Sequence, residues 1–121
     1  MQRRLALTLV LAAALLVPSS AAAATSTITF RTQYNYGGVY YRLPGTLVRI
    51  YNQRGTLIRS GRSNSRALIT FSLTRGARVR VIGRKVRGDC MSAELIYSLD
   101  QWWRVPSSRL VPMTLAWQQV C

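Results

Sequence analysis

The chain reads as an all-β protein, a small barrel with an N-terminal β-hairpin extension. Three observations predict this. Apolar and polar residues alternate with period two in several short segments, as in half-buried strands. Glycine-bearing turns recur at intervals of about 8–12 residues, the spacing of small barrels and sandwiches. One of these turns, Gly37-Gly38, is a two-residue hairpin signal flanked by β-favouring residues.

The elements follow in order. Thr27 to Tyr34 alternates, with Ile28, Phe30 and Tyr34 on one face and Thr29, Arg31 and Gln33 on the other. The strand returning from Gly37-Gly38 starts at Val39 and carries Tyr40 and Tyr41. Leu47 to Tyr51 is a further strand, closed by a turn over Asn52 to Gly55. Leu57-Ile58-Arg59 is short and runs into a polar loop, Ser60 to Arg66. Leu68 to Leu73 and Arg78 to Ile82 flank the turn Thr74-Arg75-Gly76, and Gly83 to Gly88 reads as a basic loop. Leu95 to Trp103 fits two periods equally: Leu95, Ile96, Leu99, Trp102 and Trp103 share a helical face, and Leu95, Tyr97, Leu99 and Trp103 alternate as in a strand. Leu110 to Val120 supplies one or two closing strands, interrupted at Pro112. The echo of Gly45-Thr46-Leu47-Val48-Arg49 in Gly55-Thr56-Leu57-Ile58-Arg59 is too short to build a solenoid.

Residues 1–24 read as a secretory signal peptide. Arg3 and Arg4 precede an apolar run of 13 residues, Leu5 to Val17, shorter than the roughly 20 that a membrane-spanning helix needs. Pro18 breaks the run, and Ala21 to Ala24 offers the small residues of a cleavage site. Removing 24 of 121 residues leaves 97, one domain with a single modest core. Within it, residues 25–55 form the β extension and 56–121 the barrel, together one compact unit. The expected location is secreted or periplasmic. Export and an even cysteine count predict a Cys90–Cys121 disulfide.

Composition narrows the function classes. Sixteen arginines and one lysine face three acids, Asp89, Glu94 and Asp100, and histidine is absent, for a net charge of +14. Losing Arg3 and Arg4 leaves 15 basic residues against three acids, a charge of +12. A Ser–His or Cys–His nucleophile is excluded without histidine. Glycosidase chemistry requires two placed carboxylates, and Asp100 and Glu94 are not positioned by any motif. Ligands for zinc or calcium are lacking. The expectation is a binding module, neither enzyme nor metalloprotein, with no cofactor.

Two resemblances sharpen the fold class. The stretch Ile58-Arg59-Ser60-Gly61-Arg62-Ser63, followed by Leu68-Ile69, Leu73, Gly76, Val79, Val81, Ile82 and Gly83, resembles the bacterial SH3 domain. Trp102-Trp103-Arg104-Val105 is similar to that family's W-[YW]-x-V strand, and Ala116-Trp117-Gln118 to a weakened G-W-V. Arg62 stands where the family has proline, Arg84 to Gln101 is longer than usual, and residues 25–55 lie outside the match. The resemblance implies an SH3-like barrel over residues 56–121. The rival resemblance, to a transthyretin-like or carboxypeptidase-regulatory β-sandwich, rests on Pro44 to Tyr51 and on Ser63 to Phe71. There Ser63, Asn64 and Ala67 replace that family's Thr, Asp and Gly. Members of both families are mostly non-catalytic accessory or binding modules.

The candidate ligand-binding residues are Trp102, Trp103, Arg104, Tyr34, Tyr36, Tyr40, Arg84, Lys85 and Arg87. Tyrosine and tryptophan stack on sugars or bases and also hydrogen bond. In the SH3 resemblance, aromatic side chains near the tryptophan strands line a peptide groove. Of Trp102 and Trp103, one must face outward if the segment is a strand. Guanidinium matches carboxylate and phosphate with a planar fork. The expected partner is peptidoglycan or another anionic envelope polymer. The alternatives are an acidic protein packing on a structural sandwich, or any polyanion bound nonspecifically, nucleic acid included.

Overall fold

A computed structural model describes residues 24–91 and 93–121. Apart from Ala24, the expected leader lies outside the described residues. Eight strands follow one another: β1 (Thr25–Tyr36), β2 (Val39–Arg42), β3 (Leu47–Tyr51), β4 (Leu57–Arg62), β5 (Leu68–Thr74), β6 (Arg78–Arg87), β7 (Glu94–Arg104) and β8 (Arg109–Val120). No helix occurs among the described residues. The ambiguous segment 95–103 is therefore strand, and β7 pairs with β6 from Arg87↔Leu95 to Arg78↔Arg104.

The strands form one curled, barrel-like sheet in the order β2-β1-β8-β7-β6-β3-β4, with β5 also on β1. β1 is the axis of this arrangement. One of its edges takes β5 over Thr25 to Arg31 and β2 over Gln33 to Tyr36. The other takes β8 in parallel, from Ile28↔Arg109 to Tyr34↔Leu115. Strands from 25–55 and from 56–121 thus share one sheet. The curl brings β4 towards β5, where Arg59 Nε donates to the Ser72 carbonyl at 3.2 Å and Ile69 lies against Gly61. Between them Ile28, Phe30, Val48, Ile50, Phe71, Leu73, Val79, Val81, Met113 and Leu115 make the core.

Three expectations about loops are corrected. The stretch Gly83 to Gly88 is not a loop, because β6 runs through Arg87. Its glycine answers to packing: a Cβ on Gly83 would stand 3.2 Å from Met113 Sδ and 3.4 Å from Leu115 Cδ2. The polar run beginning at Ser60 is still strand as far as Arg62, since β3 supplies the ladder from Leu47↔Arg62 onward. Pro112 does not interrupt β8. Over residues 109–115 that strand pairs with β1 alone, its ladder to β7 reaching only Ser98↔Ala116. One unpaired edge is where a strand tolerates proline.

At Thr32 the edge of β1 changes partner, from β5 to β2. Its N–H donates to the Ala67 carbonyl and its C=O accepts from Leu43 N. Its hydroxyl, fully buried, lies 2.8 Å from the Leu43 carbonyl and 2.9 Å from Ser63 Oγ. Ser63 Oγ accepts from Thr46 N, and Thr46 Oγ1 donates to the same Leu43 carbonyl. This polar knot joins β1 to the two loops on either side of β3 and β4. Asn64 shapes the second of them, its Oδ1 accepting from Arg66 N and Leu68 N.

Cys90 and Cys121 are disulfide-bonded, linking the β6–β7 connection to the end of β8 across 31 positions. Two stability experiments follow. Thr32→Val removes a hydroxyl that buried partners depend on and should cost about 1–3 kcal/mol in urea unfolding. Reduction of the disulfide should cost about 3–4 kcal/mol for a loop of that length, read as a lowered denaturation midpoint with added reductant.

Candidate functional site

Alternation along β6, β7 and β8 gives the curled sheet an inner and an outer face. The inner rows past the core are aromatic. Tyr97 on β7 pairs with Trp117 on β8 and with Lys85 on β6. Tyr34 on β1 pairs with Leu115 on β8 and with Tyr41 on β2. The β1–β2 hairpin bends back through Gly37 and Gly38, both at positive φ (62° and 84°) as a two-residue hairpin turn requires. That turn delivers Tyr41 and Tyr36 to the same end of the sheet.

These residues line an open slot of about 250 Å³, walled by Tyr34, Tyr36, Tyr41, Leu95, Tyr97 and Trp117. Its back is packed aromatic surface: Tyr34 stacks on Tyr41 at 5.4 Å between centroids and meets Tyr97 at a tilt, 4.8 Å away. Its lip is Tyr36 and Trp117, 5.7 Å apart, with 60% and 41% of their surfaces exposed. Trp117 Nε1 donates to the Asn35 carbonyl at 3.2 Å, which orients the indole before any ligand arrives. Burial raises the Tyr97 phenol above its ordinary 10.0, and the nearby Tyr34 adds to the rise. The Arg87 guanidinium, close enough to hydrogen bond with it, opposes that rise.

The outer face is cationic. Arg78, Arg80 and Arg84 on β6 and Arg104 on β7 are exposed, on the rows that alternate with buried Val79 and Val81. Arg49 on β3 pairs with Ile82 and faces the same way. Arg80 forms a two-pronged pair with Asp100, Nε to Oδ1 at 2.8 Å. That hydrogen bond holds the Asp100 carboxyl below its usual range. Trp102 is 45% exposed, and the Arg78 guanidinium lies 5.2 Å from its ring centroid.

The predicted residues thus divide between two surfaces. Tyr34 and Tyr36 wall the slot, Arg87 lies within hydrogen-bond reach of Tyr97, and Lys85, on the Tyr97 row, carries its ammonium to Gly45. Tyr40 is exposed on β2, one residue out of phase with Tyr41, and does not line the slot. Trp102, Arg104 and Arg84 lie on the outer face. Trp103 faces inward, its ring 5.5 Å from Phe30, and packs on the core. Leu95 and Tyr97 were not anticipated at a site, and Tyr41 and Trp117, conspicuous as aromatics in the sequence, were not among the candidate ligand-binding residues. The available signal was the odd-numbered alternation of Leu95 and Tyr97, which leads directly across the ladder to Trp117.

Among the described residues, Cys90, Glu94 and Cys121 have ligand atoms within 4.8 Å of one another. The disulfide occupies both sulfurs, so no thiolate is on offer there. No helix among the described residues is long and apolar enough to cross a membrane. No family model matches the chain, and neither a curated protein nor a solved structure matches it.

The raised Tyr97 value has a defined sign. The folded state holds the phenolic proton more tightly than the unfolded chain, so the stabilising contribution is complete below pH 10.0 and is lost as pH rises through the folded value. Unfolding stability should therefore fall on the alkaline side of pH 10, and fall less in Tyr97→Phe. A difference absorbance titration of the phenolate band between the two proteins should place Tyr97 above the ordinary tyrosine range.

Proposed function

We propose that this protein is a secreted or periplasmic, non-catalytic binding module of the bacterial cell envelope. Its ligand is peptidoglycan or another anionic envelope polymer. The observation that carries this reading is the aromatic slot, open at Tyr36 and Trp117 and pre-oriented from behind. A sugar ring or a peptide side chain laid on the Trp117 face loses little water-bonded polar surface and gains aromatic contact. Arg87, close enough to Tyr97 to hydrogen bond with it, then offers a cation to a carboxylate on the same polymer chain. The signal-like residues 1–24 and the disulfide support export, and the resemblance of residues 56–121 to bacterial SH3 domains supports the envelope as the place of work. The scarcity of acids and the absence of histidine support a role without turnover.

Co-sedimentation with purified peptidoglycan over a salt series tests the proposal. Stacking is worth about 1–3 kcal/mol per contact and is insensitive to ions. Trp117→Ala should therefore weaken binding by about tenfold or more at every salt concentration. Arg87→Gln should instead flatten the salt dependence. Unchanged sedimentation of Trp117→Ala, or none by the parent protein, would remove the slot from consideration.

A further inference from the structure

The outer face is chemically distinct from the slot and does not share its wall residues. On it, arginines recur at alternate positions of one strand, Arg78, Arg80 and Arg84. Arg49 stands across the β3–β6 ladder and Arg104 across the β6–β7 ladder. The exposed acid on these rows is Asp100, and Arg80 already neutralises it. The field above this face is therefore positive and extends across three strands. A small or globular anion has no reason to prefer a surface this long, whereas a linear polyanion can meet several guanidiniums at once.

Charge alone does not account for Trp102. Its ring is 45% exposed in the middle of these arginines, with Arg78 stacked against it. Beside it lies a hollow of about 490 Å³, lined by Trp102, Arg80, Ile82 and Tyr51 and by the turn from Asn52 to Gly55. Ile82 and Tyr51 make an apolar, partly aromatic floor, and Arg54 stands on the turn at its rim. Such a hollow accepts a flat ring lying on Trp102 while the chain carrying that ring keeps its charges over the arginines. A polymer with phosphodiester charges and a planar ring on each unit satisfies both demands. Ring-free polyanions satisfy only the first.

We infer that the outer face formed by β3, β6 and β7 is a second binding surface, for single-stranded nucleic acid, with Trp102 as its stacking platform and Arg49, Arg78 and Arg84 as its backbone contacts. Recognition is tolerant of sequence, because every base offers a π-face and the arginines meet only phosphates.

Fluorescence anisotropy of the full chain with labelled oligo(dT), competed by inorganic polyphosphate of matched charge, tests this. Replacing Arg49, Arg78 and Arg84 together by Gln should lower the salt slope by about two units if each contacts one phosphate of the single strand. Trp102→Ala should weaken oligo(dT) binding by about tenfold and leave polyphosphate binding unchanged. Trp102→Leu, which keeps apolar cover over the hollow but no π-face, should behave the same way and guards against a folding defect in the alanine variant. Trp117→Ala should bind oligo(dT) as the parent does, so failure here is separable from failure of the slot. Equal losses on oligo(dT) and polyphosphate in Trp102→Leu, or no loss on either, would overturn the stacking platform. Loss of oligo(dT) binding in Trp117→Ala would place nucleic acid in the slot instead.

Discussion

Everything in this sheet depends on how β1 changes neighbours in mid-strand. A strand that serves two partners on one edge must leave a gap between them, and the gap exposes backbone groups that cannot be left unpaired in a core. Thr32 fills that gap. Its backbone reaches Ala67 on one side and Leu43 on the other, and its hydroxyl ties Leu43 to Ser63. No buried side-chain nitrogen or oxygen among the described residues is left without a partner. Satisfied in this way, a polar knot specifies one arrangement of the loops, because any slip in register would strand several groups together. Ala67 stands at φ 62°, a conformation that carries strain for a residue with a Cβ, beside its bond to Thr32.

The two candidate surfaces come from one set of strands read in two phases. On β7, Leu95 and Tyr97 turn inward and end in the slot, while Asp100 and Trp102 turn outward among arginines. On β6, Lys85 lies on the phase of Tyr97, and Arg80 and Arg84 on the other. The strand period therefore sorts the chain's chemistry into a largely uncharged aromatic slot and a positive aromatic plane. On the outer face the Arg80 guanidinium holds the Asp100 carboxyl below its usual range.

Much of the fold was legible because strands announce themselves locally. The Gly37-Gly38 hairpin, the inward row Ile28 and Phe30, and the strand from Leu47 to Tyr51 are matters of period two and turn chemistry. The far half of β6 was not legible. Arg84, Lys85 and Arg87 carry the composition of a solvated loop, and only the ladders to β3 and β7 make them strand. Gly83 misled for the same reason: a glycine needed for clearance against Met113 looks like a glycine needed for a turn. The site was half legible. Tyr34 and Tyr36 are conspicuous near their hairpin, but Trp117 and Tyr97 join them through ladders that close only in three dimensions. Trp102 and Trp103 looked equivalent as a pair, and the phase of β7 sends one to the surface and the other to Phe30.

The parallel pairing of β1 with β8 sets the order in which the molecule can be assembled. Ile28 sits beside Arg109, and Thr27 bonds to Ser108 across 81 positions. Closing so long a loop costs entropy before any contact repays it, which slows folding relative to local pairing. The β1–β2 hairpin is local, whereas the β8 edge of β1 can be covered only by residues at the far end of the domain. First and last strands therefore share one ladder, and neither residues 25–55 nor residues 56–121 hold all of the partners of β1. Removing β8 would bare that edge of β1 from Ile28 to Tyr34.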